Sequence, residues 1–218
     1  MIIEFTGVPC SGKSDISHEL ADLLRDQGYT VCEKQYVLSH SKKSIKRILA
    51  KLTACFIFCI KHPKRCIACY RLIGSVRCWL NYINLIAHRC KKDICILEQG
   101  YLQFVGSLFD NAKPEAQRME LYFKELMPQT DVVQIFVSAT KETVLERAAS
   151  REDKPFFMHA EDPEKALDCA FASCEALGQM WCKNKGEAKF ISVSNERENS
   201  QREVAKTILE IMKQREFL

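Results

Sequence analysis

The sequence predicts an open α/β fold built on a parallel sheet, and three observations carry that expectation. Short apolar, β-branched runs alternate with amphipathic helical stretches, the pattern of strands buried on both faces and joined by crossover helices. A chain of 218 residues can bury roughly 70% of its unfolded surface in one core without staples. The hydrophobic share of 47%, with 28% charged residues, eight Gly and six Pro, fits a folded protein and excludes collagen-like and low-complexity classes.

The first strand is Ile2–Thr6, closed by Gly7. The helix after it presents Ile16, Leu20, Leu23 and Leu24 on one face and stops at Gly28, as a helix ending on glycine should. Thr30–Cys32, Ile94–Leu97, Val132–Val137 and Phe190–Val193 read as strands two to five, each too short and too β-branched to be a helix. Pro114 opens a helix carrying Met119, Tyr122, Phe123 and Leu126 on one face. Asp162-Pro163 opens another, with Leu167, Phe171, Cys174 and Trp181. Ser200 and Glu203 form a capping box ahead of Val204, Ile208, Ile211 and Met212. Residues 40–92 break the alternation. They read as two helices parted near His62-Pro63, a helical insertion between strands two and three of a single domain spanning 1–218.

The net charge of +4 hides a strong asymmetry, because Lys34 to Lys92 holds 14 of the 32 Lys/Arg and no Asp or Glu. The remainder carries 18 basic against 28 acidic residues, a net of −10. A basic block of this size implies an anionic partner. Its aromatics, Phe56, Phe58, Tyr70, Trp79 and Tyr82, follow helical core spacing rather than a stacking platform, so nucleic acid is not favoured. Twelve cysteines, about 5.5% of the chain, fall below the roughly 8–10% of a disulfide scaffold. Met-Ile-Ile-Glu-Phe-Thr-Gly at the start has no basic region, long apolar run or cleavage site, so the expectation is a cytoplasmic protein with reduced thiols. Leu49–Ile60, which carries Lys51, is too short to span a bilayer, where a helix needs about 20 residues. Cys55, Cys59, Cys66 and Cys69, with His62 between the pairs, have spacing that could hold Zn²⁺, yet each pair also fits the apolar face of a helix.

Gly7-Val8-Pro9-Cys10-Ser11-Gly12-Lys13-Ser14 fits G-x-x-x-x-G-K-[ST] at every fixed position. Its glycines let backbone N–H groups turn around phosphate oxygens, Lys13 reaches the β/γ-phosphates, and Ser14 is the Mg²⁺ ligand. The helix N-terminus adds its positive dipole end. The match also follows an apolar strand and opens an amphipathic helix, the context the motif requires. Gly7, Pro9, Cys10, Ser11, Gly12, Lys13 and Ser14 are therefore the candidate nucleotide-binding residues, with ATP and Mg²⁺ as cofactors. Cys10 is a site at which nucleotide should block alkylation.

A guanine-reading Asn-Lys-x-Asp is missing, since Asn184-Lys185-Gly186-Glu187 lacks the Asp and precedes the fifth strand. Strand three ends Leu97-Glu98-Gln99-Gly100-Tyr101, placing an acid at the carboxyl edge where open sheets bind ligands. Glu146-Arg147-Ala148-Ala149-Ser150-Arg151 follows strand four. In this order the chain resembles the thymidylate kinase and deoxynucleoside kinase group of P-loop kinases along nearly its whole length. The resemblance implies a three-layer P-loop NTPase fold, a five-stranded parallel sheet in the order 2-3-1-4-5, and ATP-dependent phosphoryl transfer. It implies an acceptor site built by the insertion and a lid over about 147–160. It also implies that the loop Ser194-Asn195-Glu196 contacts adenine, which adds Asn195 to the nucleotide-binding set. The chain departs from the group at Glu98-Gln99-Gly100, where thymidylate kinases have Asp-Arg-Tyr and deoxynucleoside kinases Glu-Arg-Ser. The arginine that helps hold substrate phosphate or sugar is absent.

Phosphoryl transfer is mostly positioning and charge neutralisation. Lys13, Arg147 and Arg151 are the expected charge clamps; Arg147 and Arg151 could otherwise be solvated helix arginines. Glu98 is expected to act as general base or to orient Mg²⁺-bound water, unless it merely caps a loop. Lys154 is a possible helper, Glu33 a possible acceptor contact, and Arg71, Arg77 and Arg89 candidate acceptor-anion contacts. The expected partners are ATP and a small, anionic acceptor, with a homodimer left open. The alternative is a nucleotide-binding regulatory protein whose Lys42, Lys43, Lys46 and Arg47 dock on an anionic membrane surface or protein.

Overall fold

The computed structural model describes residues 1–33, 92–98, 100, 102–103, 132–196 and 198–218. The expected helix after Pro114, the insertion helices, the cysteine quartet with His62, Arg71, Arg77, Arg89, Lys42, Lys43, Lys46 and Arg47 all lie outside the described residues.

Among the described residues the elements are β1 (Ile2–Thr6), α1 (Lys13–Asp26), β2 (Val31–Glu33), β3 (Ile94–Leu97), β4 (Val132–Ser138), α2 (Lys141–Ser150), α3 (Pro163–Lys185), β5 (Phe190–Ser194) and α4 (Gln201–Gln214). Every strand pairing is parallel, and the order β2-β3-β1-β4-β5 is the one the resemblance implies. Ile3 stands level with Ile96 on one side and Val133 on the other. Strand two begins one residue later than expected, at Val31.

The strand alternation sorts the layers. Ile3, Phe5, Ile96, Val133, Ile135, Val137 and Ile191 face α1 and α4, whose Ile16, Leu20, Leu24, Ile208 and Met212 complete a dry core. Each such side chain contributes roughly 1.5–3 kcal/mol by leaving water. The core holds α1 and α4 as one layer, and α1 is thereby fixed with its N-terminus at the end of β1. Across the sheet, α3 buries Leu167, Cys174, Leu177 and Trp181. On that same face β1 and β4 carry polar groups, Glu4, Thr6 and Gln134, all buried. Gln134 Nε2 donates to Thr6 Oγ1 at 2.7 Å and to the Glu4 carbonyl at 3.2 Å, so the network is tied within the sheet.

The helix ends follow their sequence signals. Asp162 accepts from the Lys165 N–H, Ser200 and Glu203 make the expected reciprocal box, and Gly28 closes α1 on the Arg25 carbonyl. Helix α2 is capped by Thr140, whose side chain accepts from the Thr143 N–H. It begins directly after β4, at the carboxyl edge of the sheet, and carries Arg147 in its last turn.

Candidate active site

Between β1 and α1 the chain turns through residues 7–12 around Lys13. Gly7 is needed for room, since a Cβ there would overlap the Val137 carbonyl. Gly12 is needed on two counts: its φ of +91° is left-handed, and a Cβ would overlap Asn195 Nδ2. Cys10 also adopts a left-handed φ of 65°, with a side chain, a conformation that costs free energy for any residue but glycine. Ser11 is fully buried.

Lys13 turns its ammonium into the loop, donating to the Gly7 carbonyl at 2.9 Å, the Val8 carbonyl at 2.6 Å and Ser11 Oγ at 3.4 Å. Burial of that ammonium pushes its pKa down from 10.5 to about 8; Arg151 pushes the same way, and Cys174, Cys10 and Glu98 oppose them.

A cavity of about 520 Å³ opens above the loop. Pro9, Cys10, Gly12, Lys13 and Ser14 line it from below, Glu98 and Gln103 from the β3 side, and Arg147 of α2 and Arg151 just past its end from the other side. The elements that fold around the sheet thus bring together the four residues expected to be catalytic. Arg147 Nη1 donates to the Ser11 carbonyl at 3.4 Å, and Arg151 Nη1 lies 3.7 Å from Cys10 Sγ. The lining carries three cations, Lys13, Arg147 and Arg151, against the carboxylates of Asp15 and Glu98. Ser14 is exposed at the first turn of α1 and shares the cavity with Glu98, so two oxygen donors face one space. Such sparse protein ligation suits Mg²⁺, which keeps several waters and binds phosphates in addition.

Other expected residues sit elsewhere. Asn195 does not line the cavity; it is buried behind the loop, its Nδ2 donating to the Ser11 carbonyl at 2.8 Å. Lys154 spends its ammonium on the Ala148 and Ala149 carbonyls at the end of α2. Glu33 accepts from Arg25 at 2.6 Å and is paired with His18 at 2.9 Å on the outside of α1. That carboxylate raises the His18 pKa.

Gln103, Gln201, Ser150 and Asp15 also line the cavity, and no motif in the sequence marks them. The fully buried Glu4 went unmarked too, although a charge inside a two-sided buried strand is a readable signal. Its Oε1 accepts from the Leu102 N–H at 2.7 Å. Its carboxyl occupies the space a side chain at Gly100 would need, because a Cβ there would overlap Glu4 Cγ and Cδ. Glu196 is the remaining surprise. It accepts from the Thr140 N–H at 2.9 Å, from Thr140 Oγ1 and Thr143 Oγ1 at 3.0 Å each, and from Ser194 Oγ at 3.1 Å. Burial opposes its ionisation, but these bonds outweigh it and hold the carboxyl below the usual range.

No family model and no curated protein matches the sequence. Solved structures do match the fold. A deoxyadenosine kinase from M. mycoides, solved with dCMP and dCDP, aligns with a TM-score of 0.57 at 14% identity, over 98% of this chain and 100% of that one. Shikimate kinase from Acinetobacter baumannii, in complex with shikimate, aligns at 0.53 and 16% identity, over 100% and 95%. Shikimate kinase from Bacteroides thetaiotaomicron aligns at 0.52 and 11%, over 98% of each chain. The chain therefore has the fold of the small P-loop kinases.

Proposed function

We propose that the protein is an ATP-dependent phosphotransferase that moves the γ-phosphoryl group of Mg-ATP to the hydroxyl or phosphate oxygen of a small acceptor. The observation that carries this reading is the convergence of Lys13, Arg147, Arg151 and Glu98 on one cavity at the carboxyl edge of the sheet. Phosphoryl transfer asks a protein for that arrangement: cations fixed where charge develops, and an acid facing the acceptor. The solved structures sharing this fold support the same reading, since the ones compared are kinases. Mg²⁺, held by Ser14 and by water oriented at Glu98, would supply charge neutralisation between the phosphates.

The chain's own residues divide the work. Loop N–H groups and Lys13 bind the polyphosphate. Arg147 and Arg151 approach from the opposite wall and neutralise the group in transit. Glu98 accepts the proton of an acceptor hydroxyl. The basic stretch 34–92 belongs to the acceptor side in this reading and suits an anionic acceptor, such as a nucleotide or a hydroxy acid.

The test is transfer of label from γ-labelled ATP, with Mg²⁺, to a panel of nucleosides, nucleotides and hydroxy acids. Transfer to at least one is expected, and Lys13→Ala should lower it by about 10²-fold or more. ATP binding without transfer to any acceptor, together with salt-sensitive binding to anionic vesicles, would replace this reading with the regulatory one.

A further inference from the structure

The two residues after β5 each hold one part of the cavity wall. The Asn195 backbone N–H donates to the Ser138 carbonyl at 2.8 Å, which extends the β4–β5 ladder one step past the strand. Its Nδ2 donates to the Ser11 carbonyl, the same oxygen that receives Arg147 Nη1. In a trans peptide the C=O and the next N–H point in opposite directions. Pinning the Ser11 carbonyl on Asn195 therefore turns the Gly12 N–H away from Asn195, and a Cβ at Gly12 would collide with the amide that does the pinning. The neighbouring Glu196 accepts from the Thr140 N–H and the Thr140 and Thr143 hydroxyls at the start of α2, the helix that carries Arg147 in its last turn and leads into Arg151.

Asn195 is fully buried, yet its Oδ1 has no hydrogen-bond partner among the described residues. The unpaired Oδ1 costs free energy, and the bond from Nδ2 to the Ser11 carbonyl is the contact that offsets it. We infer that Asn195 and Glu196 form a brace: Asn195 is a positioning residue that fixes the phosphate loop through the Ser11 carbonyl, and Glu196 fixes the helix of Arg147 against it. Neither residue lines the cavity. The inference rests on the proposed function only in taking the cavity as a phosphate site.

The test uses the full chain with Asn195→Leu, Asn195→Ala, Glu196→Gln, Arg147→Ala and the Asn195→Ala/Arg147→Ala double variant. Inorganic tripolyphosphate and Mg-ATP are titrated calorimetrically, and amide exchange of residues 7–14 is followed without ligand. Asn195→Leu should keep the wild-type melting temperature to within a few degrees while raising the tripolyphosphate Kd about tenfold or more. Exchange in residues 7–14 should quicken while β4 and β5 stay protected. Glu196→Gln, which keeps an acceptor oxygen but loses the charge, should weaken binding less. The double variant should lose less than the product of the two single losses, because both donors act on one carbonyl.

Wild-type Kd within twofold, with unchanged loop exchange in Asn195→Leu and Asn195→Ala, would overturn the brace, as would effects that multiply independently. If Asn195→Leu does not fold, Asn195→Ala and Glu196→Gln decide the matter. Failure of the wild type to bind either ligand would sink the phosphotransferase reading, and loop exchange would still judge the brace.

Discussion

Lys13 carries a charge that the proposed reaction requires and that its own burial opposes. Its pKa, pushed from 10.5 to about 8, places a penalty on the ammonium of about 3 kcal/mol at ~1.36 kcal/mol per unit. A polyphosphate in the cavity would supply the missing counter-charge and return the lysine to its charged form. In the free protein at about pH 9, Lys13 is then roughly nine-tenths neutral, so binding should take up about 0.9 proton, against about 0.1 at pH 7. Affinity should fall by up to about tenfold per pH unit above pH 8. The assay is titration of tripolyphosphate in buffers of differing ionisation enthalpy, for wild type and Lys13→Arg, whose guanidinium stays charged throughout. Equal proton uptake at the two pH values, or the same uptake in Lys13→Arg, would refute the reasoning. Stability follows the same linkage. The penalty is full below pH 8, and between about 8 and 10.5 the unfolded chain binds more protons than the folded one, so stability rises with pH. The urea midpoint of wild type should gain on that of Lys13→Met across this window.

Two substitutions test packing that the sequence did not reveal. Gly100→Ala forces a methyl into the Glu4 carboxyl and endangers its bond from the Leu102 N–H. Overpacking of about 1–3 kcal/mol, with a similar cost for the strained buried bond, predicts a loss of about 2–5 kcal/mol in urea unfolding. A loss under about 1 kcal/mol would mean that Glu4 has room to move. At Cys10, with φ 65°, Cys10→Val should cost about 2 kcal/mol more than Cys10→Gly, because a β-branched residue tolerates the left-handed region poorly. Equal stability of the two, measured by the same unfolding, would contradict that conformation.

The fold was legible because its information is local. Ile94–Leu97 has nothing in it but strand, and Asp162-Pro163 and Ser200 with Glu203 announce helix starts by chemistry that acts within one turn. Gly12, Lys13 and Ser14, which the motif marks, and Arg147 and Arg151, which the resemblance marks, all line the cavity. What escaped were contacts decided across the chain. The loop after β5 offers no periodicity, so nothing in Ser194-Asn195-Glu196 tells that one side chain turns back 184 residues to Ser11 while its neighbour caps α2. Lys154 and Glu33 carried the right charge for the roles expected of them, but the carbonyls ending α2 and the guanidinium of Arg25 are closer partners. Charge sign is readable from sequence, whereas the nearest counter-charge is a property of the fold.

The departure at Glu98-Gln99-Gly100 now has a physical reason for its last residue. Glu4, reaching from the middle of β1, fills the place that a side chain at position 100 would take, so the two cannot coexist without rearrangement. A carboxyl carried by β1 stands where a side chain on the loop after β3 would be, and among the described residues the β3 side of the cavity offers Glu98 and Gln103. Lys13 at the start of α1, Arg147 of α2 and Arg151 just past it are committed to the polyphosphate in the proposed reaction. Among the described residues lining the cavity there is no further cation. In the proposed reaction the 14 basic residues of 34–92 are the densest source of positive charge for an anionic acceptor beside ATP.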